Sequence, residues 1–292
     1  MVLRTRRTRA VTAVLVGASV LLATACAPKN PDTRPDQIAT YVALGDSYTA
    51  GVGLTPIVDP ACTRSDQNYP NLVAEDLHIA HLADESCAGA SSKNLVQTQI
   101  TPTGTNPPQL DAVHKDTDLV TIGLGLNDFG LSYALLYLCL PVGGRPSAAC
   151  TKYLEAPQSA MDTAVRNLGA QVKGDLDAIR KKAPKARIVL VGYPHFLPDS
   201  GECPAQVPLP EPALQRIRTT LKAVNDAMET SARRARVDYV DMYDDSVGHD
   251  VCSSDPWVNG QTNLAGKALA FHPYAAYHQA VAAKLEYLLE KR

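Results

Sequence analysis

Short apolar runs alternate with longer amphipathic stretches along the chain. Tyr41-Val42-Ala43-Leu44, Leu119-Val120-Thr121-Ile122-Gly123, Arg187-Ile188-Val189-Leu190-Val191 and Val237-Asp238-Tyr239-Val240 read as buried strands, with a weaker one near residues 79–82. Helical patterning covers residues 69–77, 157–182, 211–234 and 273–289. The last of these opens with Pro273 in its first turn, where a missing N–H costs little. Near-continuous apolar strands separated by helices predict a parallel sheet covered on both faces. Ligands of such sheets bind beyond the carboxyl ends of the strands. The residues that follow each strand are therefore the place to look for chemistry.

The first residues fall outside this pattern. Arg4, Arg6, Arg7 and Arg9 precede an apolar stretch over residues 11–25, too short to span a bilayer comfortably. It predicts a signal peptide over residues 1–25. The stretch ends Ala23-Thr24-Ala25-Cys26. Ala23 and Ala25 suit an ordinary signal peptidase, which would release the chain. A small residue before Cys also resembles a bacterial lipobox, with Ala23 where Leu is usual. The second reading is favoured, and it makes Cys26 an acylated N-terminus holding the protein on a membrane. Residues 26–37, with Pro28, Pro31 and Pro35, read as anchor and tether, and residues 38–292 as one large domain.

Charge and cysteine content narrow the classes further. The formal charge is −2, and loss of the four leader arginines takes it to −6. Nucleic acid is a poor partner for such a surface, because affinity there rests on cations meeting phosphates. With Cys26 acylated, six of the seven cysteines remain. An even remainder in an oxidising compartment predicts three disulfides, for which fifteen connectivities exist. Sequential pairing is expected (Cys62–Cys87, Cys139–Cys150 and Cys203–Cys252), each bridge stapling one loop. No C-x-x-C or paired-His spacing points to a metal.

Three segments carry candidate chemistry. Gly45-Asp46-Ser47 follows the first strand, so Ser47 sits where a helix begins, either as a nucleophile or as a plain helix cap. Gly123-Leu124-Gly125-Leu126-Asn127-Asp128 follows a middle strand, and taken alone it is better explained as a turn. Phe271-His272-Pro273 opens the final helix. Of the other histidines, His195 follows a strand directly and is expected near the cleft.

Taken together and in that order, Gly-Asp-Ser, Gly-x-Asn-Asp and His-Pro resemble the GDSL lipase/esterase family, also called SGNH hydrolases. The Arg64-Ser65-x-x-Asn68-Tyr69-Pro70, Cys87-Ala88-Gly89-Ala90 and Asp255-Pro256-Trp257 segments are similar to secreted actinobacterial members. The resemblance implies a flavodoxin-like three-layer sandwich with a five-stranded parallel sheet. It implies Ser47 as nucleophile, His272 as base, and an oxyanion hole made by Ser47, Gly89 and Asn127, with no cofactor. Where the family carries an acid, three residues before the His, this chain has Leu269. Its backbone carbonyl is expected to orient His272, with Asp255 as the rival acid.

The implied activity is cleavage of carboxylic esters through an acyl-enzyme on Ser47. Alternatives are an acyltransferase, a carbohydrate deacetylase, or a catalytically dead envelope binding lipoprotein. Tyr48, Leu54, Phe129, Tyr133, Leu135, Leu136 and Tyr137 form either an acyl-binding wall or core. The expected partners are an ester or lipid substrate and the membrane at Cys26, with the protein monomeric.

Overall fold

The computed structural model describes residues 30–31, 34–141 and 147–291. The leader and Cys26 lie outside the described residues. Five parallel strands form the central sheet: β1 (Thr40–Gly45), β2 (His81–Asp84), β3 (Leu119–Gly123), β4 (Arg187–Val191) and β5 (Asp238–Val240). Their order across the sheet is β2-β1-β3-β4-β5, that of the flavodoxin-like doubly wound folds. Helices α1 (Ser47–Ala50), α2 (Tyr69–Asp76), α3 (Ala148–Glu155), α4 (Gln158–Lys182), α5 (Glu211–Ala235), α6 (Met242–Asp245) and α7 (Ala275–Glu290) complete it.

Strand alternation divides the core into two layers. Val42, Leu44, Val120, Ile122, Ile188 and Leu190 face α4 and α5, while Tyr41, Ala43, Leu119, Val189 and Val191 face α2 and α7. Both sets are buried, which explains why the strands read as unbroken apolar runs rather than as alternating ones.

α7 starts at Ala275, later than its sequence pattern suggested. Residues 257–259 run antiparallel to residues 272–274: Asn259 N–H donates to the His272 carbonyl and Tyr274 N–H to that of Trp257, both at 2.9 Å. Pro273 bridges Val258 in this ribbon and so stays outside the helix.

Asn30, within the stretch that the sequence assigns to a tether, packs against the sheet. It is only 6% exposed. Its side chain accepts the Ile188 N–H at 3.0 Å and donates to the Ile188 carbonyl at 3.1 Å. β5 opens with Asp238 opposite Val189, so Asn30 supplies the strand partner that Ile188 would otherwise lack. Its amide also reaches Asp238 at 3.1 Å, beside the buried Arg187–Asp238 ion pair of 2.8 Å. The packed domain therefore takes in residues before 38. Three disulfides join Cys62 to Cys87, Cys139 to Cys150 and Cys203 to Cys252, the sequential pairing.

Candidate active site

β1 and β3 end side by side, with Gly45 opposite Gly123. The chain turns from Gly45 straight into α1. A Cβ on Gly45 would lie 2.2 Å from Thr49 Oγ1 and 2.9 Å from the Gly123 carbonyl, so only glycine lets the helix close onto the strand end. Gln109 clamps this residue by accepting its N–H at 2.9 Å and donating to its carbonyl at 3.0 Å. Asp46 caps α1 by accepting the Tyr48 N–H at 2.8 Å. Ser47 becomes the first helical residue, and its N–H has no acceptor among the described residues.

Two further donors face the same space. Gly89 adopts a φ of +75°, a conformation that favours glycine. The N–H groups on either side of it are used, Ala88 to the Cys62 carbonyl and Ala90 to the Cys87 carbonyl, both at 3.0 Å. The Gly89 N–H between them finds no acceptor among the described residues. Asn127 donates one amide hydrogen to the Ala90 carbonyl at 2.9 Å, which leaves the other available.

Half-buried His272 closes the site. Its Nδ1 lies 2.7 Å from the Ala270 carbonyl. A carbonyl can only accept, so Nδ1 carries the proton and Nε2 is the free base. Burial holds the imidazole below its ordinary range, and the Ala270 bond opposes that shift. Ser47, Gly89, Asn127, Leu269 and His272 line one cavity of about 300 Å³. Val52, Leu126, Leu136 and Tyr137 give it an apolar wall. Among the described residues, no group of three or more His, Cys, Asp or Glu is placed to hold a metal ion.

The model of the GDSL-like lipase/acylhydrolase family matches residues 43–280. The chain belongs to this family. It is 32% identical over 255 residues to Lipase 2 of Streptomyces coelicolor, covering 85% of each chain. Among solved structures it resembles phospholipase A1 of Streptomyces albidoflavus, at 26% identity and a TM-score of 0.70, over 86% of this chain and 99% of that one. It also resembles the extracellular lipase of Streptomyces rimosus, at 28% identity and a TM-score of 0.69, over 85% and 99% of the two chains. This GDSL-family protein is a carboxylic ester hydrolase.

The geometry departs from the sequence reading in its details. The carbonyl facing His272 Nδ1 is that of Ala270 rather than Leu269. The Leu269 carbonyl instead accepts the His272 N–H at 3.2 Å and the Asn259 amide at 3.0 Å, so it braces the turn and not the ring. Asp255 is not at the base: its side chain is 78% exposed and pairs with His249 at 3.3 Å. His195 is away from the cavity, tilted against Tyr243, with its N–H on Ser246 Oγ at 2.7 Å. Of the suggested acyl wall, Tyr48, Leu136 and Tyr137 line the cavity and Leu135 a narrow apolar pocket behind it. Phe129 and Tyr133 are 52% and 60% exposed, and Leu54 is core.

Asp46 is a residue that sequence reasoning passed over. Its carboxylate accepts the Tyr193 hydroxyl at 2.5 Å, and that oxygen takes the Leu126 N–H at 2.9 Å. Burial pushes Asp46 up to about 7, although the Tyr193 and Tyr48 bonds favour its ionised form. Asp46 thus ties the Ser47 turn to the segment that carries Asn127. Its place inside Gly-Asp-Ser was the available signal.

Proposed function

We propose that Ser47 and His272 act as a catalytic dyad that cleaves carboxylic esters through an acyl-enzyme. His272 Nε2 takes the Ser47 proton as Oγ attacks the ester carbonyl. The N–H groups of Ser47 and Gly89 and the Asn127 amide receive the oxyanion. The imidazolium then protonates the leaving alcohol, and water repeats the cycle on the acyl-enzyme. The Ala270 carbonyl does the work of the missing acid, holding Nδ1–H and facing the charge that develops on the ring.

One observation carries this reading: two backbone N–H groups without acceptors among the described residues, and one half-used amide, line the same cavity as Ser47 and His272. The apolar wall favours a longer acyl chain over an acetyl group in the acid half of the ester. Hydrolysis of chromogenic esters by Asn127→Ala tests the assignment. Loss of one oxyanion donor is expected to lower kcat by about 10²–10³. Wild-type turnover in that variant would remove Asn127 from the mechanism.

The reading extends to placement. Residues 1–25 act as an export signal, and acylated Cys26 holds the mature enzyme on the outer face of a membrane. The arginine-rich start, the apolar stretch and the small residues before Cys26 support this. Metabolic labelling with a fatty acid should mark the wild-type chain and not Cys26→Ser. Equal labelling of both would discard the anchor.

A further inference from the structure

Two of the three proposed oxyanion donors, Gly89 and Asn127, sit on separate loops, and three side chains join those loops to α4. Ser92 Oγ lies 2.7 Å from Asp128 Oδ2 and 2.6 Å from Asp175 Oδ2. Ser92 follows Gly89 on one loop, Asp128 follows Asn127 on the other, and buried Asp175 projects from α4. A hydroxyl has one proton to give. It cannot serve both carboxylates, and an oxygen–oxygen contact of this length without a hydrogen between is repulsive. One carboxyl must therefore carry a proton and donate it to Oγ.

The surrounding bonds decide which. Burial raises Asp128 as well, but Asp128 also accepts the Ser92 N–H, at 3.1 and 3.2 Å, and Lys93 acts on it; both favour its ionised form. Asp175 is more deeply buried and receives only the Gln171 amide on its other oxygen, at 2.9 Å. Burial pushes Asp175 up to about 6, and Asp128 adds to that rise.

We propose that Asp175 is a positioning residue for the oxyanion hole: its protonated carboxyl donates to Ser92 Oγ, Ser92 donates to ionised Asp128, and this shared-proton chain holds the Gly89 and Asn127 loops together. The inference rests on reading those two residues as oxyanion donors. Neither Ser92 nor Asp175 lines the cavity, so the chain acts on the transition state through the loops and not on substrate binding. When the proton leaves, two carboxylates compete for one hydroxyl and the clamp weakens as pH rises. Lys93 faces the pair from the Ser92 turn, and Asp46 and Tyr193 lie beyond Asp128.

The test is kcat and KM across the acid-to-alkaline range for Asp175→Asn, Asp175→Ala, Ser92→Ala and Asn127→Ala. Asp175→Asn donates permanently, so it should keep wild-type kcat and lose the alkaline decline. Asp175→Ala and Ser92→Ala should lose about tenfold or more in kcat, with KM changed by less than about twofold. If Asp175→Ala fails to fold, Ser92→Ala and Asp175→Asn carry the test. Wild-type kcat in Ser92→Ala with a slow Asn127→Ala overturns the clamp alone, as does a wild-type pH profile in Asp175→Asn. Wild-type kcat in Asn127→Ala as well overturns the oxyanion reading beneath it.

Discussion

The Tyr48 hydroxyl donates to the Phe271 carbonyl at 2.6 Å, joining the residue after Ser47 to the residue before His272. Phe271 is held at a φ of +61°, which is uncommon for a bulky residue and costs of order 1–3 kcal/mol. Its N–H is fixed on the Gly260 carbonyl at 2.9 Å, and its ring packs edge-on against Phe196 and Tyr137. The strained peptide aims His272 into the cavity. Removing the hydroxyl in Tyr48→Phe frees that peptide while leaving the ring in place. The expected result is a kcat lowered by about tenfold with KM little changed, the pattern of an interaction that matters chiefly in the transition state. Steady-state kinetics check it, and an unchanged kcat would sever this link.

The pH profile follows from the burial of His272. The neutral imidazole is the base, and burial lowers its pKa below the ordinary 6.5. A lowered value keeps the base form present at lower pH, so the acid limb of kcat/KM should fall below 6.5. Asp46, pushed up to about 7, would place a limb above the histidine value instead. In Asp46→Asn the limb should therefore persist at the same place. A limb at or above the ordinary histidine value, or one that vanishes in Asp46→Asn, would contradict the assignment.

Stability and catalysis should separate at the two edges of the sheet. Asp238 neutralises buried Arg187 and accepts from Asn30 at the amino edge, while the site lies at the carboxyl edge. Asp238→Ala leaves a buried guanidinium without its carboxylate, which costs about 3–5 kcal/mol. Urea unfolding should register that loss while turnover per folded molecule stays near wild type. A variant as stable as the parent would show that the ion pair contributes little.

Four of the five strands and the four helices read from the sequence were legible from period and length; the edge strand β2 gave only a weak signal near residues 79–82 against its place at His81–Asp84, because its residues are exposed or half-buried. Val42 and Leu44 report one layer, and Tyr41 and Ala43 the other, within a run that simply reads as apolar. Ser47, Asn127 and His272 stand at places the sequence singles out, after strands and near the chain end, but it was the family resemblance that gave them roles, and Gly89 rested on the resemblance altogether. The one-residue error from Leu269 to Ala270 has a local cause: the φ of Phe271 decides which carbonyl meets the ring, and a positive φ in a phenylalanine leaves no sequence signal. Asn30 and Asp175 were illegible for another reason. Their partners Ile188 and Ser92 are 158 and 83 residues away, and only the folded topology brings them together.

The central claim is that Ser47 is the nucleophile and His272 its base. Labelling with an organophosphonate, read by intact mass and peptide mapping, tests it most directly. The account predicts one adduct per chain, on Ser47, absent in Ser47→Ala and strongly slowed in His272→Ala, with ester turnover lost in step. An adduct on another residue, or ester turnover that survives in folded, disulfide-intact Ser47→Ala, would contradict it.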